Sequence, residues 1–316
     1  MSDGPLWIDT AALPRRRRVV DRLATGVLAA LMVGTVALLL WVLLYVAREG
    51  IKYLGPEFLT QTPPGNAADP GGGFVNGIIG SLIMVGIATV VSVPVGIGTA
   101  IYIQEYQGPG SGVAQFLSDV LVGIPTIVTG AFVYAIWVIH FGFSGLAGGI
   151  SLGLIMIPLI VRSSLEMLRL VPPELREASL GLGIGRARTI LAVVLPTASS
   201  GLITGVMLAV ARAMGETAPL LLTALGNDLF IEANPTRRMS SLSLQIFGNA
   251  ITGYKAAQAR AWAGALTLII MVLAFSAAAR LIAARSATGR PHTRRRRAHR
   301  GVPSTSGADE GADQRG

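Results

Sequence analysis

Two residues of opposite charge stand four positions apart in an otherwise apolar stretch of the sequence, "ARAMGETAPLLLTA". On a helix, Arg212 and Glu216 would lie one turn apart on the same face. Ionisable groups in an apolar helix are costly and normally face each other or a polar path. An arginine stays charged at any working pH, and its planar fork donates paired hydrogen bonds to the oxygens of an anion. The pair therefore indicates an anion contact, with a purely structural ion pair as the alternative.

Two hydroxyl groups stand beside Pro125 in a second apolar stretch, "GIPTIVTG". Thr126 and Thr129 would supply neutral hydrogen-bond donors to the same anion, while Glu216 would moderate the positive charge of Arg212. A moderated site suits passage, because a tightly held ion would not leave. The alternative is that each hydroxyl bonds back to a carbonyl of its own helix.

Most enzyme sites are excluded by the residues that the sequence lacks. There is no G-x-x-x-x-G-K-[ST] motif, and the only lysines are Lys52 and Lys255, so the chain cannot build the phosphate cradle of a P-loop ATPase. Cysteine is absent and the three histidines are scattered. We expect no catalytic residue, no metal site and no cofactor bound by this chain. Any ATP and Mg²⁺ would be bound by a separate ATPase.

The elements that must position these residues are membrane-spanning helices. Of the 316 residues, 52% are hydrophobic and 14% are charged, whereas a soluble domain has about 25% charged residues. A helix needs about 20 mostly apolar residues to cross a bilayer. Six segments meet or approach this length: Leu23 to Val46, Gly77 to Ile103, Val120 to Ile139, Leu146 to Val161, Pro196 to Leu225 and Ala261 to Ala279. The sequence predicts an all-α integral membrane protein with six transmembrane helices, the fifth kinked near Pro219.

The basic residues predict the orientation of these spans. The net charge is +9, and dense arginine runs lie at Arg15 to Arg18 and Arg294 to Arg297. With both termini in the cytoplasm, most basic residues also lie there, as the positive-inside rule requires. We interpret the runs as topology signals that attract anionic membrane lipid, and not as a nucleic-acid site. Residues 1–18 and 286–316 are expected to be disordered cytoplasmic tails, and 19–285 to form the transmembrane domain.

Two outer segments are predicted to lie outside the bilayer. The stretch from Thr62 to Gly73, "TPPGNAADPGGG", is rich in proline and glycine and predicts an irregular surface loop. The segment "LSLQIFGNA" is moderately apolar and predicts a short helix that lies on the outer face.

A cytoplasmic loop at about 165–196 carries the most informative motif, "LRLVPPELREASLGLGIGRARTILAVVLP". It resembles the E-A-A-x3-G-x9-I-x-L-P signature of ABC importer permeases, through Glu177, Ala178, Ser179, Gly183, Leu195 and Pro196. Ser179 and Val193 are conservative departures. Such a signature describes two short helices that meet at a bend, where glycine adopts backbone angles closed to other residues. Ala178 and Ser179 would let this elbow sit close in the groove of an ATPase. The alternative is an ordinary amphipathic loop.

Several strings resemble those of PstA-type phosphate permeases over roughly residues 75–285. They are "ARAMGETAPLL", "GIPTIVTG", "VRSSLEMLRLVPPELREASLGLG", and "LSLQIF" followed by "AWAGAL". The resemblance implies the type I ABC importer permease architecture and translocation of inorganic phosphate across the bacterial plasma (inner) membrane by alternating access. It also implies a PstC-type second permease, a PstB-type ATPase dimer that binds ATP and Mg²⁺, and a PstS-type phosphate-binding protein.

Two other functions remain open on the sequence. The runner-up in the same class is an ABC permease for another oxyanion or a polar nutrient. A function of a different class is a membrane scaffold or signalling subunit that transports nothing.

Overall fold

The computed structural model describes residues 15–288, and within this range the chain is helical with no strand. Thirteen α-helices follow one another: α1 Arg15–Gly50, α2 Pro56–Thr60, α3 Val75–Ile101, α4 Ser111–Gly123, α5 Thr126–Val133, α6 Ile139–Phe141, α7 Gly145–Arg169, α8 Pro173–Gly181, α9 Arg186–Thr189, α10 Leu195–Gly215, α11 Ala218–Thr223, α12 Leu242–Ala250 and α13 Lys255–Thr288. Three π-helical segments extend or join them, Tyr102–Tyr106 after α3, Tyr134–Val138 between α5 and α6, and Ile190–Val194 between α9 and α10.

Among the described residues, five helical stretches are long and apolar enough to cross a membrane. They are Val19–Gly50, Val75–Tyr106, Gly145–Arg169, Arg186–Met214 and Lys255–Leu281. A sixth span would consist of Ser111–Gly123 and Thr126–Phe141, which meet at an angle of 105°. The prediction of an unbroken third span from Val120 to Ile139 is therefore wrong. Its physical reason is Pro125, which forces Ile124 out of the helical region, to φ −76° and ψ 129°.

The predicted fifth span is also divided. Helix α10 ends at Gly215, Glu216 is extended with ψ 132°, and α11 begins at Ala218 with Pro219 in its first turn. Proline lacks an N–H and is best tolerated where a helix starts. The break thus lies before Pro219, and Glu216 is the residue after the helix of Arg212 and not a member of it.

The predicted tails differ slightly from the structure. Arg15 to Arg18, expected in a disordered tail, form the first turn of α1, and residues 286–288 still belong to α13. The remaining tail residues, 1–14 and 289–316, lie outside the described residues. The fourth span is also longer than predicted, because α7 continues past Val161 and ends at Arg169.

The core lies where α3 packs along α7. Met84 of α3 and Leu152, Met156 and Ile160 of α7 are almost fully buried. Close approach is possible because α7 presents glycine to α3, and a Cβ on Gly149 would lie 2.8 Å from the side chain of Ile87. Helices α10 and α13 complete the core on the other side.

Helix α1 packs chiefly against α13. The ring of Tyr45 stands edge-on to that of Trp262 at a centroid distance of 5.3 Å. Gly50 allows the contact, since a Cβ there would meet the Trp262 carbonyl at 2.7 Å. The apolar side chains earlier in α1, such as Leu28 and Leu38, are exposed in the chain by itself.

The predicted outer helix is present as α12. Ser241 caps it, and its hydroxyl accepts a hydrogen bond from the Leu244 N–H at 3.1 Å. Its first residues are buried, however, including Leu242 and Gln245. This helix therefore packs into the bundle, against α3 and α13, and does not simply lie on the outer face.

The loop from Thr62 to Gly73 is irregular, as predicted, but it is held in place. The buried guanidinium of Arg260 donates hydrogen bonds to the carbonyls of Ala67 at 2.8 Å, Asp69 at 2.6 Å and Gly71 at 3.2 Å. One side chain of α13 thus holds the middle of the loop, residues 67–71, in place.

Candidate functional site

A cavity of about 330 Å³ lies between α4, α5, α7 and α10. Its polar lining includes Thr126 and Thr129 of α5 and Arg212 of α10. The remaining wall is apolar and is contributed by Leu121, Val122, Ile124, Val128, Phe132, Leu154, Ile155, Pro158 and Leu159. Three of the four residues predicted for a substrate pathway therefore share one cavity, although they come from two helices more than 80 positions apart in sequence.

Arg212 is half-exposed, and Glu216 is largely shielded beside it. The side chains are 57% and 15% accessible, and the Nε atom of Arg212 lies 3.5 Å from Oε1 of Glu216. A strong charge-assisted hydrogen bond is shorter, about 2.7–2.9 Å. Glu216 does not line the cavity itself. The carboxylate of Glu216 thus contacts one side of the Arg212 guanidinium, and the rest of the Arg212 side chain lines the cavity.

The two threonines line the cavity, and in the described part of the chain their hydroxyls are not used within their own helix. Within residues 15–288, neither Thr126 nor Thr129 donates to a carbonyl of its own helix, whereas Thr204 of α10 donates to Ser200 at 2.8 Å. The same break that splits the predicted third span places Thr126 at the start of α5, where no side chain caps the helix. Uncapped N–H groups at a helix start carry partial positive charge and favour anions.

The polar lining continues along α7 beyond the cavity. Arg212 also lines a neighbouring cavity of about 280 Å³, together with Arg162 and Glu166. These last two residues line a third cavity of about 430 Å³ with Asp119 and Arg169. Sequence reasoning treated Arg162 only as the end of a span. The sequence signal for this polar lining was the spacing of Arg162, Glu166 and Arg169, which places all three on one face of a helix.

The predicted coupling loop forms an elbow of two short helices, α8 and α9. Gly183 lies between them with φ +77°, a conformation that side chains with a Cβ rarely adopt. The N–H of Gly183 donates to the Leu180 carbonyl at 2.9 Å, and the N–H of Ile184 donates to the Ser179 carbonyl at 3.2 Å. The bend and its glycine are as the sequence predicts.

The outward surface of the elbow is formed by Glu177 and Ala178, with Leu182 at its tip 80% exposed. Ser179 was expected to face a partner, and this is wrong. It is buried, and its hydroxyl lies 2.9 Å from the hydroxyl of Thr189. Successive residues of a helix point about 100° apart, so Ser179 faces α9 while Ala178 beside it is exposed. The contact with Thr189 therefore joins α8 to α9.

The last two residues of the predicted loop signature lie past the elbow. Leu195 and Pro196 begin α10 and are partly buried. Pro196 stands in the first turn, where its missing N–H removes no hydrogen bond of the helix. They mark the entry into the helix that carries Arg212.

Comparison with known proteins identifies relatives over most of the chain. Residues 92–288 match the family described as "Binding-protein-dependent transport system inner membrane component". A phosphate transport system permease protein PstA from Yersinia pestis is 40% identical over 273 residues, which are 85% of this chain and 92% of the relative. PstA from Xylella fastidiosa is 41% identical over 75% of this chain and 83% of the relative. PstA 1 from Mycobacterium tuberculosis is 37% identical over 85% and 90%.

Solved structures share the fold at lower identity. A chain of the inward-facing MetNI methionine ABC transporter matches with a TM-score of 0.56 and 20% identity, over 67% of this chain and 95% of that chain. A chain of a bacterial alginate ABC transporter matches with a TM-score of 0.60 and 14% identity, over 85% and 96%. The all-helical membrane fold is thus the type I ABC importer permease architecture, as the sequence predicts.

The helical spans, the elbow and these relatives together define a non-enzymatic, membrane-embedded permease subunit of an ABC transport system with further components. The chain belongs to the binding-protein-dependent transport system inner membrane component family and, within it, to the phosphate transport system permease proteins PstA.

Proposed function

We propose that this chain is one of two permease halves that carry inorganic phosphate across the bacterial plasma (inner) membrane by alternating access. The observation that carries the proposal is the single cavity lined by Arg212, Thr126 and Thr129. An arginine fork, two hydroxyls and an uncapped helix start all supply hydrogen-bond donors, which suits an oxyanion.

Glu216 keeps the binding weak in this proposal. Its carboxylate lies within 3.5 Å of Arg212 and competes with the substrate for the guanidinium. A transport site must release its ion, so partial neutralisation of the arginine favours passage over retention.

The partners follow from what this chain lacks and exposes. The sequence has no P-loop, so we assign ATP and Mg²⁺ to a PstB-type ATPase dimer that contacts Glu177, Ala178 and Leu182 of the elbow. A PstC-type permease would complete the pathway, and a PstS-type protein would deliver phosphate from outside. With both termini in the cytoplasm, the basic end of α1 at Arg15–Arg18 would meet anionic lipid.

The test is transport by the complete four-component complex in liposomes. Radiolabelled phosphate should accumulate only with ATP, and excess sulfate should not compete. Arg212→Gln should lower uptake roughly ten- to a hundredfold, since a hydrogen bond to a charged group contributes about 1.5–3 kcal/mol. Arg22→Gln, an exposed arginine of α1, is the matched control and should transport normally. Equal competition by sulfate, or full uptake by Arg212→Gln, would refute the proposal.

A further inference from the structure

Arg176 of α8 points toward the membrane helices. Its guanidinium contacts the segment that follows α3 and the end of α7. Its Nε and Nη2 atoms donate to the Glu105 carboxylate at 2.7–3.2 Å. Nη2 also donates to the Leu168 carbonyl at 2.9 Å, and Nη1 donates to the Val171 carbonyl at 2.6 Å. The side chains of Arg176 and Glu105 are only 20% and 7% exposed. One side chain of α8 is thus bonded to the end of α3 and to the end of α7.

Glu105 occupies an unusual piece of backbone. It belongs to the π-helical segment Tyr102–Tyr106, which ends at Gln107 with φ +48°. A residue with a Cβ adopts this left-handed conformation only against a steric penalty, and isolated π-helical turns are frequent at functional positions. The neighbouring Tyr106 ring lies 5.4 Å below the Arg186 guanidinium of α9. The segment therefore holds both helices of the elbow.

Helix α8 has an exposed outward face and an inward face that packs against the rest of the chain. Glu177 and Ala178 point outward, where the ATPase is proposed to bind, while Arg176 and Ser179 point inward. The inward face is attached to α3 and α7. Those two helices pack along each other, and α7 contributes Leu154, Pro158 and Leu159 to the wall of the cavity at Arg212.

We propose that Arg176 and Glu105 are a positioning pair that transmits movement of the elbow to α3 and α7, and thereby couples ATP hydrolysis on the partner to opening of the cavity. This inference rests on the proposed function. A side chain that fixes two helix ends at once makes the elbow and those helices move as one body. Without it, the ATPase still binds the outward face, but its movement reaches the cavity only in part.

The variants are chosen so that folding is spared. Arg176→Lys keeps a positive charge beside Glu105, but a single ammonium cannot bond the carboxylate and both carbonyls in the geometry of the planar fork. The double change Arg176→Gln with Glu105→Gln removes both charges, so neither is left buried and unpaired. The control is Arg280→Gln, an exposed arginine of α13.

Two readouts are measured on the complete complex. The first is phosphate moved per ATP hydrolysed, with co-purified ATPase as the measure of assembly. The second does not depend on the substrate. The natural chain has no cysteine, so Val128→Cys places its only thiol in the apolar wall of the cavity, and the rate of its labelling by a polar thiol reagent is compared with and without ATP.

Both variants should retain the ATPase and hydrolyse ATP, yet move at least about fivefold less phosphate per ATP, which is the lower range of measured coupling between sites. ATP should change the labelling of Val128→Cys in the otherwise unaltered complex and in the Arg280→Gln background, but not in the two variants. Unaltered phosphate per ATP together with unaltered labelling would overturn the inference, and so would failure of both variants to assemble. If the wild-type complex moves no phosphate, the proposed substrate is refuted, and the labelling readout alone decides the coupling role.

Discussion

Arg212 and Glu216 face each other across the end of a helix, with the Nε atom of Arg212 3.5 Å from Oε1 of Glu216. The arginine lies in the last turn of α10, and the glutamate is the extended residue that follows it. Both the pair and the break that separates α10 from α11 therefore belong to one local structure. A change in the backbone at the break would move the carboxylate relative to the guanidinium.

The first prediction separates a substrate contact from a structural pair. Arg212→Gln alone removes the guanidinium and leaves the shielded carboxylate of Glu216 without its partner. Adding Glu216→Gln relieves that loss, so any assembly defect of the single variant should recover. Phosphate uptake per assembled complex should stay low in both, because the contact with the anion is still missing. Near wild-type uptake by the double variant would show that Arg212 serves only the ion pair.

A second prediction concerns the outward face of the elbow. Glu177 is exposed, so Glu177→Lys should leave the fold of this chain intact and reverse a charge at the ATPase contact. We expect the amount of ATPase co-purified with the complex to fall at least about fivefold, which corresponds to about 1 kcal/mol. Asp21→Lys in α1 is the control for a charge reversal elsewhere. Equal recovery of ATPase with both variants would contradict the assignment of this face.

The third prediction uses the two glycines that flank the elbow bend. Gly183 has φ +77° and Gly185 has φ −64°, and a Cβ at either would meet nothing within 4 Å. Gly183→Val should therefore strain the bend by about 1–2 kcal/mol, whereas Gly185→Val should not. The melting temperature of the purified complex and the rate of ATP-driven uptake should both fall for Gly183→Val, and neither should fall for Gly185→Val. Equal melting temperatures and equal uptake for the two variants would show that the bend does not need the left-handed backbone conformation of Gly183.

A fourth prediction tests the contact between α5 and α11. A Cβ on Gly130 would lie 2.6 Å from Cα of Pro219, a backbone atom that cannot step aside easily. Gly130→Ala should destabilise the complex by about 1–3 kcal/mol, as overpacking does, and should lower uptake because only Thr217 separates Glu216 from α11. Gly123→Ala, at the end of α4, meets nothing within 4 Å and is the control. A melting temperature unchanged in both variants would contradict the close packing of these helices.

The fifth prediction concerns the outer loop from Thr62 to Gly73. Arg260→Met keeps an unbranched stem but removes the guanidinium, and with it the hydrogen bonds to the carbonyls of Ala67, Asp69 and Gly71. The loop should then become susceptible to a protease added from outside. Lys255→Met, which changes an exposed cation of the same helix, should leave cleavage unchanged. Equal resistance of both variants would show that other contacts hold the loop.

Local patterns in the sequence predicted the helical class, the apolar spans and the elbow glycine. Each of these depends on residues close together in the chain, through composition, periodicity or a single backbone angle. Hydropathy does not detect breaks in the backbone, so the division at Ile124 was not predicted although Pro125 follows it, and the break near Pro219 was predicted only as a kink. Proline signals a break without stating which residue leaves the helix.

The contacts that tie the elbow to the membrane helices were beyond local reasoning. Glu105 and Arg176 are 71 positions apart, and neither stands in a pattern that names the other. Ser179 was placed outward because its small size fitted a docking role, whereas its neighbour in space is Thr189. The cavity residues Thr126, Thr129 and Arg212 were selected from their types alone, and only the folded chain brings them together.

The packing of α1 against α13 has a consequence for biosynthesis. Tyr45 and Trp262 are far apart in the sequence, so α1 leaves the ribosome long before the part of α13 against which it packs. At a synthesis rate of about 5–20 residues per second, the intervening chain takes roughly ten seconds or more to emerge. The contact between α1 and α13 can therefore form only late in synthesis, after the helices that lie between them in the sequence have been made.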